Sequence, residues 1–167
     1  MVIMPSFAQN SVSIGPDLGL PSNFNTASKP GLGASFEYVN KFSAHVGLRV
    51  FAGYNRFEGK YVADDILEFI PYRVGIEGFG YKDVIFVYGE VGAASLIGNG
   101  PENSKTNFSY ALGTGCRYPI GMTKQFVQVS AYYNFFRFDE MNTYTWFNIR
   151  LAYGLNFGKK AKPLFEE

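Results

Sequence analysis

Few residues in this chain are equipped for catalysis. It holds one histidine, His45, and one cysteine, Cys116, in 167 residues. His45 stands two positions from Ser43, a base and a hydroxyl on one face of an extended segment, the minimum for a nucleophile and its activator. That spacing recurs by chance along any strand, and the plainer reading is a satisfied histidine facing an interior. No GxSxG run is present, and GLGASF around Gly31 precedes a strand instead of a helix. Neither a nucleophile elbow nor a phosphate-binding loop is therefore encoded. One cysteine cannot form an intramolecular disulfide, and beside a single histidine it leaves no metal-ligand spacing. Cys116 reads as a small apolar residue on a strand. The chain is expected to be non-enzymatic, with no cofactor and no metal.

Charge offers a different chemistry. Asp17, Glu37, Arg49, Arg73, Glu77, Glu90, Arg117 and Arg150 share the less apolar face of extended segments, four cations against four acids. Unpaired charge in a confined interior costs several kcal/mol, so a one-to-one balance is what an ion-pair network needs. The competing reading of the same residues is a proton or ion path. Outside these segments, Asp64, Asp65 and Glu68 cluster in one long link, and Asp139 and Glu140 in another. They could hold a divalent cation or a cationic partner, against the plain reading of solvated loop charge. Phe24, Phe57 and Tyr61 add aromatics that suit contact from exposed loops. The net charge is +1 with no basic stripe, so nucleic acid is not an expected partner. Lys159, Lys160 and Lys162 read as a solvated terminus.

The elements that carry these residues show a period of two. Eight segments alternate: Ser11–Leu20, Gly31–Val39, Phe42–Asn55, Phe69–Gly80, Val84–Leu96, Asn107–Tyr118, Phe126–Phe138 and Thr145–Phe157. In the third, Phe42, Ala44, Val46, Leu48, Val50, Ala52 and Tyr54 line one face, and Ser43, His45, Gly47, Arg49, Phe51, Gly53 and Asn55 the other. Successive side chains of a strand point to opposite faces, so each segment is a strand with one apolar and one mixed face. No apolar run reaches the length of a membrane helix. Aromatics make up 18% of the chain and Gly contributes 19 residues, which fits a β protein with many turns. The fifth segment is ambiguous by hydropathy, and Glu90 is placed on its polar face with Phe86 and Tyr88.

Two architectures suit such strands. A soluble lipocalin-like barrel turns its apolar face inward, whereas a membrane barrel turns it to lipid. The mixed face carries no Lys; it holds Gly47, Gly53, Gly75, Gly92, Gly113, Gly115 and Gly154 with Phe51, Tyr132, Phe136 and Trp146. Small and large residues with scattered charge describe a narrow, filled lumen. Only Arg137 falls on the apolar face, near a strand end where a long side chain can snorkel. That face is aliphatic at its middle and aromatic at its margins, with Tyr38, Phe42, Tyr54, Tyr72, Tyr110, Tyr118 and Phe157 as girdles at the two interfaces. Tight turns at Asn40-Lys41 and Tyr81-Lys82-Asp83 and a modest link over 119–124 alternate with longer polar links. This is the pattern of extracellular loops and periplasmic turns.

The fold expected is all-β: an eight-stranded antiparallel up-and-down transmembrane β-barrel with a filled lumen. Residues 1–8 read as the remnant of a secretory signal ending in Ser6-Phe7-Ala8, 9–158 as the barrel and 159–167 as a periplasmic tail. The runs FNIRLAYGLNF, VYGEVGAA and ALGTGCRY resemble strands of the small outer-membrane barrels of the OmpA/OmpX type, most closely the Bacteroidetes-type outer-membrane β-barrel. The resemblance covers Val12 to Phe157. It implies a monomer in the outer membrane of a Gram-negative bacterium, surrounded by membrane lipid and lipopolysaccharide, with both termini periplasmic. It also implies insertion by the barrel-assembly machinery, which reads a terminal aromatic; Phe157 fits, although ten residues follow it. The role implied is structural, adhesive or envelope-maintaining, with the long loops as interaction surface. Alternatives are a lipid-modifying enzyme using His45, or a soluble carrier.

Overall fold

Long alternation with few interruptions produces eight strands: β1 (Gln9–Pro21), β2 (Gly31–Lys41), β3 (Val46–Glu58), β4 (Ile66–Gly80), β5 (Ile85–Ile97), β6 (Lys105–Pro119), β7 (Gln125–Arg137) and β8 (Thr143–Phe157). The computed structural model describes residues 9–22, 28–59, 66–80, 83–97, 105–121, 123–137 and 143–157. Residues 1–8 and 159–167 lie outside this set, as do Phe24, Tyr61, Asp64, Asp65, Asp139 and Glu140. Each strand pairs antiparallel with the next, and β1 closes on β8 to complete a barrel. At about 3.3 Å per residue and a tilt of about 40°, a strand of 13 residues such as β3 rises roughly 33 Å. That exceeds a hydrocarbon core of about 30 Å.

The side chains are inverted relative to a water-soluble barrel. Arg49, Arg150, Glu37, Glu77, Gln128 and Asn148 are buried inside, while Ile14, Leu32, Val74, Ile76, Val87 and Leu112 are exposed outside. Glycines on the inner face let neighbouring strands coil tightly. A Cβ on Gly75 would lie 2.7 Å from Glu90 Cα on β5, and one on Gly92 would lie 2.8 Å from Arg73 Cα on β4. Both are backbone clashes that no rotamer relieves. Two prolines interrupt the ladder. The β1–β8 pairing skips Gly15 and Pro16, and the β3–β4 pairing skips the stretch opposite Pro71. A proline has no N–H to donate on that side, yet each keeps its place in the pairing with the other neighbour, Pro16 with Ala34 and Pro71 with Ala94.

Several expectations about strand ends need correction. The first tight turn is not Asn40-Lys41. β2 runs through Lys41, and the turn occupies 42–45. Ser43 builds it: its hydroxyl accepts hydrogen bonds from the Val46 and His45 amides at 3.0 and 3.3 Å, and its own N–H donates to the Val46 carbonyl. Ser and Thr commonly compete with the ladder in this way. Phe42 therefore sits in the turn, and His45 is exposed there instead of facing the lumen. At the opposite end β3 extends to Glu58 and β4 begins at Ile66. Phe57 is consequently a fully buried lumen residue, not an exposed loop aromatic. Glu68 belongs to β4 and accepts a hydrogen bond from Tyr54 Oη at 2.6 Å, so it is not a free loop acid.

Candidate functional site

The inner face stacks into layers, because residues of inward parity on eight strands converge on one axis. At the end where β3 leads to β4, Phe57, Phe69, Ala94, Leu96, Phe136 and Trp146 form a closed apolar plug. The Phe69 ring lies 4.7 Å from Trp146 and meets Phe57 and Phe136 edge-to-face at 5.9 and 5.5 Å. Edge-to-face contacts satisfy the quadrupoles of packed rings. This end carries the longer links and is called the loop end here; the other is the turn end.

Below the plug lies a polar layer. Asn148 Nδ2 donates to Asn55 Oδ1 and to Tyr132 Oη, at 3.0 and 2.9 Å. Tyr132 Oη in turn donates to Asp17 Oδ1 at 2.7 Å. Arg73 Nη1 donates to Asn134 Oδ1 at 2.9 Å, and its Nε to Glu90 Oε2 at 3.1 Å, which joins this layer to the next.

The central layer is ionic. Arg49 spans three carboxylates: its Nε bonds Glu90, its Nη1 donates to Glu77 Oε2 at 2.8 Å, and its Nη2 lies 2.8 Å from Glu37 Oε2. Glu37 also receives Arg150 Nη1 at 2.6 Å, Gln128 Nε2 at 3.1 Å and the more distant Arg117 Nη2 at 3.4 Å. Arg117 Nη2 reaches Glu77 Oε1 at 3.1 Å. The guanidiniums are also stacked, Arg49 over Tyr88 at 3.8 Å and Arg73 over Phe51 at 4.7 Å. Charges buried this deeply are tolerable only when each is paired and hydrogen-bonded.

Of the eight predicted lumen charges, the structure joins Glu37, Arg49, Arg73, Glu77, Glu90, Arg117 and Arg150 into one contiguous network. Asp17 stands apart, held by Tyr132, although it is level with Arg150 in the β1–β8 register. Gln128, Asn134 and Asn148 also belong to the site and were not singled out by the sequence, which named Tyr132 only as one of the large residues of the mixed face. Their signal is parity alone, since each shares the inward face of its strand with a named residue. Lys41 is a further addition. It has inward parity at the end of β2, so the lumen face is not free of lysine.

On the outer face, Tyr54, Tyr72 and Tyr110 lie toward the loop end, and Tyr38, Tyr118 and Phe157 toward the turn end, with Phe42 in the turn itself. Tyr110 stacks on Phe135 with centroids 4.6 Å apart. His45 is exposed at the turn end, outside the lumen network. Among the described residues no group of three or more His, Cys, Asp or Glu could hold a metal ion.

A closed eight-stranded antiparallel barrel with an apolar exterior and an ion-paired interior has the fold of the small outer-membrane β-barrels. Solved structures of this fold include Ail, the attachment invasion locus protein of Yersinia pestis, in complex with the heparin analogue sucrose octasulfate. It aligns with a TM-score of 0.61 and 18% identity over 90% of this chain and 99% of that one. The outer membrane protein OprG of Pseudomonas aeruginosa aligns with a TM-score of 0.64 and 9% identity over 92% and 98%. Neisserial surface protein A aligns with a TM-score of 0.56 and 12% identity over 90% and 96%. At these identities the likeness is one of fold. No family model matches the chain, and no curated protein matches it in sequence.

Proposed function

We propose that this protein is a non-enzymatic integral barrel of a Gram-negative outer membrane, with a structural, adhesive or envelope-maintenance role. The inversion of its faces carries the reading. Six of the network's charged side chains, those of Arg49, Arg73, Arg150, Glu37, Glu77 and Glu90, are at most 1% exposed inside. A belt of aliphatic and aromatic residues covers the outside. Water would strip such an exterior by aggregation, whereas lipid solvates it.

The filled lumen supports a role other than diffusion. Among the described residues, plug, polar layer and ion-pair layer fill the interior with side chains, as suits a barrel of eight strands and not a wide porin. Activity then belongs to the long links of the loop end, on the extracellular side in this reading, with both termini periplasmic. Ail, a fold neighbour, is described as an attachment invasion protein, which favours surface contact as the role. Insertion by the barrel-assembly machinery, a monomeric state and kinship with the Bacteroidetes-type barrels complete the proposal.

The test is biochemical. The folded chain should require detergent or lipid, migrate faster on a gel when unboiled than when boiled, and expose its loop-end links to protease on intact cells. A monodisperse protein in detergent-free buffer would overturn the membrane reading. A change in the lipid A of cells expressing it, lost in a His45→Ala variant, would favour the enzyme instead.

A further inference from the structure

The turn end of the lumen does not close like the loop end. It opens into a recess of about 180 Å³ lined by Phe79, Phe126, Val39, Pro119, Lys41 and Arg117, with Asp83 at the rim. Drug-sized ligand pockets run to roughly 300–1,000 Å³, so an occupant here would be small. Both cations approach the same ring, Lys41 Nζ at 4.6 Å and the Arg117 guanidinium carbon at 5.7 Å from the Phe79 centroid.

Their donors are unequally used. Arg117 commits Nε and Nη2 to Gln128, Glu77 and Glu37 on the network side. Its Nη1, with two N–H groups, meets no acceptor among the described residues, and its side chain keeps 11% exposure. Lys41 crosses the mouth from β2, over Phe79, to Asp83 at 2.6 Å in the β4–β5 turn. That carboxylate is 53% exposed, so water and salt compete for it. Asp83 also holds φ at 65°, in the left-handed region.

We propose that this recess binds a small organic carboxylate whose apolar body lies between Phe79 and Phe126. Its oxygens accept from Arg117 Nη1 and Lys41 Nζ and displace Asp83. Asp83 is thus an internal competitor that occupies the lysine when the ligand is absent. The apolar walls favour a carboxylate over a fully hydrated inorganic anion. The carboxylate comes either from a free small acid or from the C-terminus of a polypeptide.

The full chain in detergent micelles, labelled with 15N, is titrated with benzoate and with neutral benzamide of the same shape. Benzoate is expected to give saturable shifts at the amides of Lys41, Phe79, Asp83 and Val84, and benzamide none. Asp83→Asn removes the competitor yet keeps a residue tolerant of the left-handed region, so benzoate should bind about two- to fivefold tighter. Lys41→Gln should weaken it about tenfold through loss of a charge-assisted hydrogen bond. A purely structural strap gives the opposite sign, with Asp83→Asn leaving binding unchanged or weaker. That result, or equal shifts from benzoate and benzamide, would overturn the site. N-acetyl-alanyl-phenylalanine and its amide form the second arm. Tighter binding of this acid than of benzoate assigns the source to a polypeptide terminus, and the reverse order to a free acid.

Discussion

Glu37 is the residue on which the lumen turns, because Arg49, Arg117 and Arg150 all meet its two oxygens. Glu37→Gln keeps the shape and removes the charge, leaving the buried guanidiniums of Arg49 and Arg150 and the part-buried one of Arg117 short of a carboxylate. Breaking one side of a buried pair costs about 3–5 kcal/mol. Urea unfolding in lipid vesicles should register a loss of that size. Glu58→Gln, at an exposed 3.9 Å pair with Lys29, should stay within about 0.5 kcal/mol. Equal effects would mean that the network contributes no more than surface charge. The eight lumen charges are legible in the sequence because each shares parity with glycines on its strand. Which carboxylate serves which guanidinium is not legible. Arg150 bonds Glu37 at 2.6 Å from six strands away in the chain, while Asp17, beside it in the register, turns to Tyr132. That choice depends on how far each strand is sheared around the barrel, which periodicity does not encode.

At the scale of the strand, alternation identifies all eight elements, and errors collect at their ends. Phe57 reads as a loop residue because Arg56 and Glu58 flank it with charge. In the barrel those two face outward and Phe57 inward, so the alternation simply continues. His45 reads as a strand residue because it keeps the parity of Arg49; Ser43 captures the Val46 amide and starts the strand later. The glycines make a testable contrast. Gly75→Ala would push a methyl into the β5 backbone and should destabilise the barrel by about 1–3 kcal/mol. A Cβ on outward Gly80 meets nothing closer than 3.9 Å, so Gly80→Ala should stay within about 0.5 kcal/mol. A thermal melt of the two variants in the same detergent compares them directly. If both behave alike, tight coiling does not explain why the inner face is rich in glycine.

For the whole molecule, the fold is legible because its constraint is global. Lipid outside, as the proposed reading has it, and a narrow interior would require opposite chemistry on the two faces of every strand, and all eight comply. The role is not legible, since the loop-end links, where the proposal places it, obey no such period in the sequence. A plugged lumen predicts that planar bilayers holding the protein show no discrete conductance steps. Steps that persist at low protein density would contradict the plug of Phe57, Phe69, Phe136 and Trp146.

The most direct test of the inverted barrel concerns one outward side chain. Val74 lies at the middle of β4, beside Val50 on β3 and Val91 on β5, and is 52% exposed. On a water-facing surface Val74→Arg would be nearly neutral, within about 0.5 kcal/mol. At a bilayer midplane it should cost about 2–4 kcal/mol. Reversible urea unfolding of the wild-type and Val74→Arg chains in phospholipid vesicles decides between them. A loss of about 2–4 kcal/mol is the result that lipid contact predicts, and an unchanged unfolding free energy would contradict it.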